Sequence, residues 1–88
     1  MKYKLSAQQI STTIADETVI LDHAKGIYYG LDEVGTLIWD YLGKTAASVD
    51  ELVAQVKENY EVETKTCQTD VEELLNELMK EKLVEIVP

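Results

Sequence analysis

The chain contains few of the side chains that commonly carry catalytic or metal-binding chemistry. Cys67 is its only cysteine and His23 its only histidine. A single histidine excludes a zinc site built on a pair of histidines, and a single cysteine excludes an intrachain disulfide and a two-cysteine metal site. The sequence also shows no catalytic triad pattern, no paired catalytic carboxylates and no Gly-rich phosphate loop. We therefore predict that the protein is not an enzyme and uses no metal or other cofactor.

The charge balance narrows the classes of partner. The chain has 17 acidic and 8 basic residues, its formal net charge is −9, and every basic residue is a lysine. This charge repels phosphate backbones, and without arginine the bidentate group that reads guanine and phosphate is missing. No apolar run is long enough to span a bilayer, and residues 1–10 lack the apolar stretch of a secretory signal. We expect no nucleic-acid or membrane partner, and a reduced, cytoplasmic setting.

Length and residue pattern together predict one small α+β domain, residues 1–88 with a core at 10–87. The first third is rich in Ile, Thr, Val and Tyr between turn residues, which favours strands. The predicted strands cover 10–14, 18–22 and 27–31, and their short connections favour a three-stranded antiparallel meander. A further strand within 3–6 and an extended tail at 83–87 against the same sheet are also compatible with the pattern.

The rest of the chain has the apolar periodicity of three amphipathic helices. Asp32 is predicted to cap the first helix and Gly43 to end it. Ser48 and Glu51 form a capping-box pattern at the start of the second helix, and the same pattern at Thr69 predicts the start of the third. Three apolar helix faces can cover one side of the sheet. The expected architecture is therefore winged-helix-like, a three-stranded antiparallel sheet followed by three helices.

The third predicted strand has an edge that nothing in its sequence protects. Exposed edges are usually blocked by lysine, proline or a bulge, and residues 27–31 contain neither lysine nor proline. The strand is instead apolar and aromatic, and it is bordered by Gly26 and contains Gly30. This composition indicates an edge that remains available for a guest strand.

The segment GIYYGLDEVGTLIW, from Gly26 to Trp39, resembles the signature of PqqD-like proteins. These are the recognition elements for ribosomally synthesised and post-translationally modified peptides (RiPPs). Segments 48–53 and 70–75 match the second and third helices of that family, so the resemblance covers about residues 10–87. The sequence departs from the pattern at Asp32, where asparagine is common, and at 81–83, where a Gly-Leu turn is common. Because of the second departure, the sequence does not predict the residue at which the third helix ends.

The resemblance implies a non-catalytic protein that binds the leader segment of a precursor peptide. The leader would add as an antiparallel strand on the third strand, beside the third helix, and be delivered to processing enzymes. A chain of this length is most similar to the standalone leader-binding protein of lasso-peptide biosynthesis, whose partners are a leader peptidase and a cyclase. One alternative is a peptide chaperone for the pyrroloquinoline quinone precursor, acting with a radical SAM enzyme. A second alternative is a winged-helix interaction or regulatory subunit.

The predicted peptide-binding residues come from the third strand and the third helix. They are Ile27, Tyr28, Tyr29, Gly30 and Leu31 on the strand, and Val71, Leu74, Leu75 and Leu78 on the helix. A period of two places Tyr29 and Leu31 on one face of the strand and Tyr28 on the other, but the sequence leaves open which face meets the helices. We expect a monomer, with a domain-swapped dimer as the alternative for a small sheet with an open edge.

Overall fold

The computed structural model describes residues 1–7, 9–14, 17–22 and 25–88, with the backbone alone at 9, 10, 13, 14 and 27. His23 lies outside the described residues. The elements in chain order are β1 (Lys2–Leu5), β2 (Gln9–Ile14), β3 (Glu17–Asp22), β4 (Ile27–Leu31), α1 (Glu33–Lys44), α2 (Val49–Asn59), α3 (Thr64–Lys80) and β5 (Val84–Val87). None of the helices within these ranges is long and apolar enough to cross a membrane.

The predicted three-stranded sheet is confirmed, and so is the α+β class with three helices following it. β2, β3 and β4 form an antiparallel meander in sequential order, with β4 at one edge. The face of the sheet that meets the helices carries Ile20 and Leu31, which are at most 5% exposed. They join one apolar core with Ile38 of α1, Leu52 of α2 and Leu75 of α3. The helices therefore cover one face of the sheet, as the apolar stripes require.

The C-terminal tail is extended, but it does not lie against the three-stranded sheet. β5 pairs antiparallel with β1 in a separate two-stranded sheet, in which Lys4 lies opposite Glu85 and forms an ion pair of 3.3 Å. Tyr3 also exchanges two backbone hydrogen bonds with Ala47, of 2.7 and 3.0 Å. Because the backbone of β5 pairs with β1, β5 does not cover the edge of β4. Within the described residues, β4 pairs with β3 alone and its second edge is unpaired.

Two of the predicted helix starts are confirmed by their hydrogen bonds. Asp32 Oδ1 accepts the Gly35 N–H at 2.8 Å, which caps α1. Ser48 and Glu51 make both bonds of the capping box at α2, of 3.2 and 3.0 Å. The prediction that Gly43 ends α1 is wrong. A glycine ends a helix by taking a positive φ, and Gly43 is not among the residues with positive φ, so α1 continues through Lys44.

The prediction that Thr69 opens the third helix is also wrong. α3 begins at Thr64, and Thr69 lies inside it with its hydroxyl donating to the Lys65 carbonyl at 3.1 Å. Cys67 is 5% exposed and sits one turn before Val71, so it extends the buried stripe towards the N-terminus. Burial of this extra turn outweighs the local capping pattern, which the helix does not use.

The end of α3, which the sequence did not predict, is formed by a turn at Lys82 and Leu83. Lys82 takes a positive φ of 60°, and the Lys82 and Leu83 N–H groups donate to the Met79 and Leu78 carbonyls. These two bonds form a Schellman motif, which usually has glycine at the left-handed position. The chain therefore ends α3 with a Schellman motif that has a lysine, not a glycine, at the left-handed residue.

Replacing Lys82 with glycine is expected to raise the free energy of unfolding by about 0.5–1 kcal/mol. A left-handed conformation costs a residue with a Cβ about 1–2 kcal/mol, and the greater freedom of glycine in the unfolded chain offsets part of that gain. Urea unfolding followed by circular dichroism measures the change. Lys80→Gly, in the last turn of α3, is the matched control and should lower stability by about 1 kcal/mol. A Lys82→Gly variant no more stable than the wild type would contradict the strain argument.

Replacing Gly26 and Gly30 with alanine should change the free energy of unfolding in opposite directions. Gly30 has ordinary backbone angles, and a Cβ there meets nothing within 4 Å, so Gly30→Ala should raise the free energy of unfolding by about 0.5–1 kcal/mol. Gly26 has φ +65°, so Gly26→Ala should lower it by about 1 kcal/mol or more. Both variants are compared by urea unfolding. Equal shifts of the same sign would show that backbone conformation does not control this hairpin.

Candidate functional site

A groove of about 510 Å³ runs between the edge strand β4 and helix α3. One wall is formed by Tyr29, Gly30 and Leu31, and the opposite wall by residues of α3 that include Val71 and Leu74. The first turns of α1 supply the floor through Val34, Gly35 and Ile38. The unpaired edge of β4 therefore borders a largely apolar cleft, which is the arrangement needed to accept a peptide strand and its side chains.

Gly35 allows the floor of the groove to lie close beneath β4. A Cβ at this position would be 3.2 Å from the Leu31 Cβ and 3.3 Å from Asp32 Oδ1. Both distances are shorter than ordinary van der Waals contact, so a larger residue would displace the groove wall or the helix cap. The glycine in the VGTLIW segment thus has a packing role at the junction of β4 and α1.

The register of the sheet settles which face of β4 meets the helices. Tyr29 lies opposite Ile20 and Leu31 lies opposite Thr18, and both partners on β3 are completely buried. Tyr28 lies opposite Leu21 and is 72% exposed on the other face. Tyr29 and Leu31 therefore point to the groove side of the sheet, and Tyr28 points away from it.

The structure brings most of the predicted site residues together, but not all of them. Those that line the groove are Tyr29, Gly30, Leu31, Val71 and Leu74. Leu75 and Leu78 have no exposed surface and belong to the core behind the groove. Tyr28 lies on the outer face of the sheet, and the side chain of Ile27 lies outside the described part of the chain. The proposed contact surface is therefore concentrated on the C-terminal part of β4.

Three lining residues, Val62, Thr66 and Cys67, lie upstream of the predicted start of the third helix at Thr69. Thr66 and Cys67 were missed because α3 begins earlier than predicted, whereas Val62 lies just before the helix. A spacing of four along one face of a helix leads back from Leu74 to Thr66 and from Val71 to Cys67. Extending the two apolar positions backwards with this spacing identifies both residues from the sequence.

Two polar contacts connect the β4 hairpin to the C-terminal half of α3. The Tyr29 hydroxyl donates a hydrogen bond to Glu77 Oε2. Lys25 Nζ lies 3.0 Å from Glu81 Oε2. Glu77 and Glu81 are one turn apart, so the hairpin and the helix run in opposite directions along the groove. These contacts bridge the groove at its Glu77 end, and no side-chain hydrogen bond or ion pair between residues that the structure describes joins the two walls around Asp70.

Partial burial, together with the hydrogen bond and negative charge of Glu77, raises the pKa of Tyr29 to about 12. The raised pKa means that the neutral phenol is favoured in the folded protein. Its stabilising effect is present below the ordinary tyrosine pKa of about 10 and is lost as the pH rises towards 12.

Tyr29 should therefore ionise well above the ordinary tyrosine pKa of about 10. An absorbance titration at the tyrosinate wavelength is expected to show a component with a pKa of about 12, and Tyr29→Phe should remove it. Glu77→Gln should lower the pKa of this component, because the charge that opposes ionisation is lost while an acceptor for the phenol is kept. If Tyr29→Phe leaves the late component unchanged, the phenol is not held by Glu77.

Cys67 contributes to the groove as an apolar wall residue. Burial raises the pKa of its thiol, and the nearby Asp70 carboxylate raises it further, while Lys57 acts in the opposite direction. A thiol that remains protonated is a poor nucleophile and a poor metal ligand. Among the described residues, no group of three or more His, Cys, Asp or Glu side chains is placed to hold a metal ion.

Comparison with known proteins shows which family the chain belongs to and which solved structures share its fold. The profile of the family described as Coenzyme PQQ synthesis protein D (PqqD) matches residues 17–84, from the start of β3 to the start of β5. The chain belongs to the PqqD family. The resemblance drawn from the segment between Gly26 and Trp39 is thereby confirmed. No curated protein matches this PqqD-family chain at a significant level.

Two solved structures share the fold along almost the whole chain. The first, TbiB1 in complex with the TbiA(beta) leader peptide, is 33% identical, has a TM-score of 0.86, and is matched over 97% of this chain and 98% of the other. The second, lasso peptide synthetase B1 complexed with the leader peptide, has a TM-score of 0.83 over 98% of this chain and 100% of the other. Its identity of 21% supports similarity of fold alone.

Proposed function

We propose that this chain, acting as one domain of residues 1–88, binds the leader segment of a ribosomally made precursor peptide in lasso-peptide biosynthesis. The observation that carries the proposal is the unpaired edge of β4 beside the apolar groove. The TbiB1 structure supports it, because that 33% identical relative is a complex with a leader peptide. The leader adds to β4 as an antiparallel strand, and alternate side chains enter the groove.

Backbone pairing alone does not provide useful affinity. Three to five ladder hydrogen bonds at about 0.5–1.5 kcal/mol each give roughly 2–7 kcal/mol. Ordering a disordered leader costs about 2–5 kcal/mol, so the two contributions nearly cancel. Side chains of the leader that are buried against Leu31, Val71 and Leu74 provide the remaining affinity and the specificity.

We also propose that the protein is a non-catalytic accessory that delivers the bound precursor to a leader peptidase and a cyclase. A strand added to β4 leaves the rest of the precursor outside the groove, where an enzyme can act on it. The proposed partners are a ribosomally made peptide and its processing enzymes, so the proposed site of action is the cytoplasm. The wall formed by the protonated thiol of Cys67 supports a binding role rather than a nucleophilic one.

Hydrogen exchange tests the proposed strand addition directly. The probe is the TbiA(beta) leader peptide, which is the ligand in the structure of the 33% identical relative. Saturating leader is expected to slow amide exchange in β4, because an added strand protects the outward N–H groups of the edge. β2, the opposite edge of the same sheet, is the internal control and should be unchanged. Saturable binding without added protection in β4 would overturn strand addition.

The family match also favours a second candidate, a chaperone for the pyrroloquinoline quinone precursor. The two candidates differ in the peptide that binds. Fluorescence anisotropy with a labelled lasso leader and a labelled quinone precursor measures both affinities on one protein. Tighter binding of the lasso leader by tenfold or more supports the first candidate, and the reverse order supports the second.

A further inference from the structure

The groove is lined by charges of one sign. Its charged lining residues are Asp32 at the end of β4, and Asp70 and Glu77 on α3. No lysine is among the described lining residues. The apolar part of the groove therefore lies between carboxylates, and a guest that presents a cation would find no competing positive charge there.

The three carboxylates differ in the hydrogen bonds that they already make within the protein. Glu77 accepts the Tyr29 hydroxyl, and Asp32 uses Oδ1 to cap α1. Asp70 makes no hydrogen bond or ion pair of standard geometry with any residue that the structure describes. The carboxylate of Asp70 and the second oxygen of Asp32 are therefore available to a guest.

The geometry of the two walls brings Asp32 and Asp70 to the same level of the groove. The hydrogen bond between Tyr29 and Glu77 fixes one level, and the hairpin and α3 run in opposite directions from it. Three residues along a strand, from Tyr29 to Asp32, span about 10 Å. Seven residues along a helix, from Glu77 to Asp70, span about 10.5 Å. The two carboxylates thus face the groove from opposite walls at its unbridged end.

We propose that the leader bound by this groove carries a lysine or arginine that sits between Asp32 and Asp70. This inference rests on the proposed function and adds the chemical class of the guest. A guest antiparallel to β4 has an earlier residue opposite Leu31, next to Asp32, and a later residue opposite Tyr29, and both point into the groove. Side chains two residues apart enter the same groove. The recognised pattern is therefore a basic residue followed, two positions later, by an apolar one.

A random peptide library displayed on beads and sorted with the fluorescently labelled full chain identifies guests without assuming a leader sequence. Selected peptides are expected to be enriched in the basic-x-apolar pattern. One such peptide is then compared with a copy in which norleucine replaces its basic residue. For the wild type, the replacement should weaken binding about tenfold.

Variants of the protein show whether the loss of affinity on norleucine replacement depends on Asp32 and Asp70. In the double variant Asp32→Asn and Asp70→Asn, the same peptide change should alter affinity less than about twofold, because both carboxylates are gone. Asparagine still caps α1, so the fold is retained. Glu73→Gln removes one negative charge from α3 outside the groove, and the full tenfold effect should persist there.

Two outcomes overturn the inference. One is a library selection with no basic preference, and the other is a norleucine effect that remains tenfold in the double variant, which would reflect the overall charge of −9. If the selected peptides still slow exchange in β4, leader binding by strand addition stands and only the basic position fails. If they bind without protecting β4, the proposed function fails as well.

Discussion

Replacing Leu74 with glutamate is expected to weaken leader binding by about 30-fold or more and to leave the protein folded. Leu74 is half-buried on α3, packs against the core and lines the groove. Glutamate there removes apolar contact with the guest and forces a carboxylate to be desolvated when the leader binds. Each effect is worth about 1–2 kcal/mol at the centre of an interface, and 30-fold corresponds to about 2 kcal/mol.

The matched control is Met79→Glu on the same helix. Met79 is also half-buried and packs against the core, but it is not among the residues that line the groove. Anisotropy titration of the labelled leader should give an affinity within about twofold of the wild type for this variant, since a change away from the contact leaves binding energy intact. Urea unfolding of both variants shows whether they lose similar stability. Equal loss of affinity in the two would mean that α3 stability, and not the groove, controls binding.

The features that the sequence predicted correctly depend on neighbouring residues. The strand-forming runs at 18–22 and 27–31, the cap at Asp32 and the capping box at Ser48 are each decided within a few residues. Composition and apolar periodicity gave the order of the elements, and the family resemblance gave the location of the groove beside the third helix. The fold class and the groove-lining strand residues Tyr29 and Leu31 could therefore be predicted before the structure.

The features that were missed depend on contacts between distant segments. Thr69 has a good local capping pattern, but burial of Cys67 extends α3 past it. β5 pairs with β1, at the other end of the chain, and a pattern of alternation cannot identify that partner. Leu74, Leu75 and Leu78 share one apolar stripe, yet only Leu74 reaches the groove. Periodicity shows which face of a helix is buried, but the position of β4 decides which residues remain at its margin.

Trp39→Ala is expected to have the largest effect on stability, lowering the free energy of unfolding by about 3–5 kcal/mol. A chain of this size has about 4–13 kcal/mol in total, so the variant should be close to unfolding. Trp39 is 3% exposed on α1, and its indole N–H donates to Ser11 Oγ of β2 at 3.1 Å. The side chain therefore fills the space between the first helix and the far edge of the sheet, and alanine would leave a cavity there.

Ser11→Ala separates the hydrogen bond from the packing. It removes the acceptor alone and should cost about 0.5–1.5 kcal/mol, because Ser11 is exposed and water can replace it. Urea unfolding is followed by circular dichroism, since Trp39 is the only tryptophan and its fluorescence is lost in the variant. Trp39 does not line the groove, so whatever fraction of Trp39→Ala remains folded should bind the leader with unchanged affinity. If Trp39→Ala loses no more stability than Ser11→Ala, other contacts hold α1 to the sheet. If the folded fraction of Trp39→Ala binds the leader with altered affinity, the far edge of the sheet is coupled to the groove.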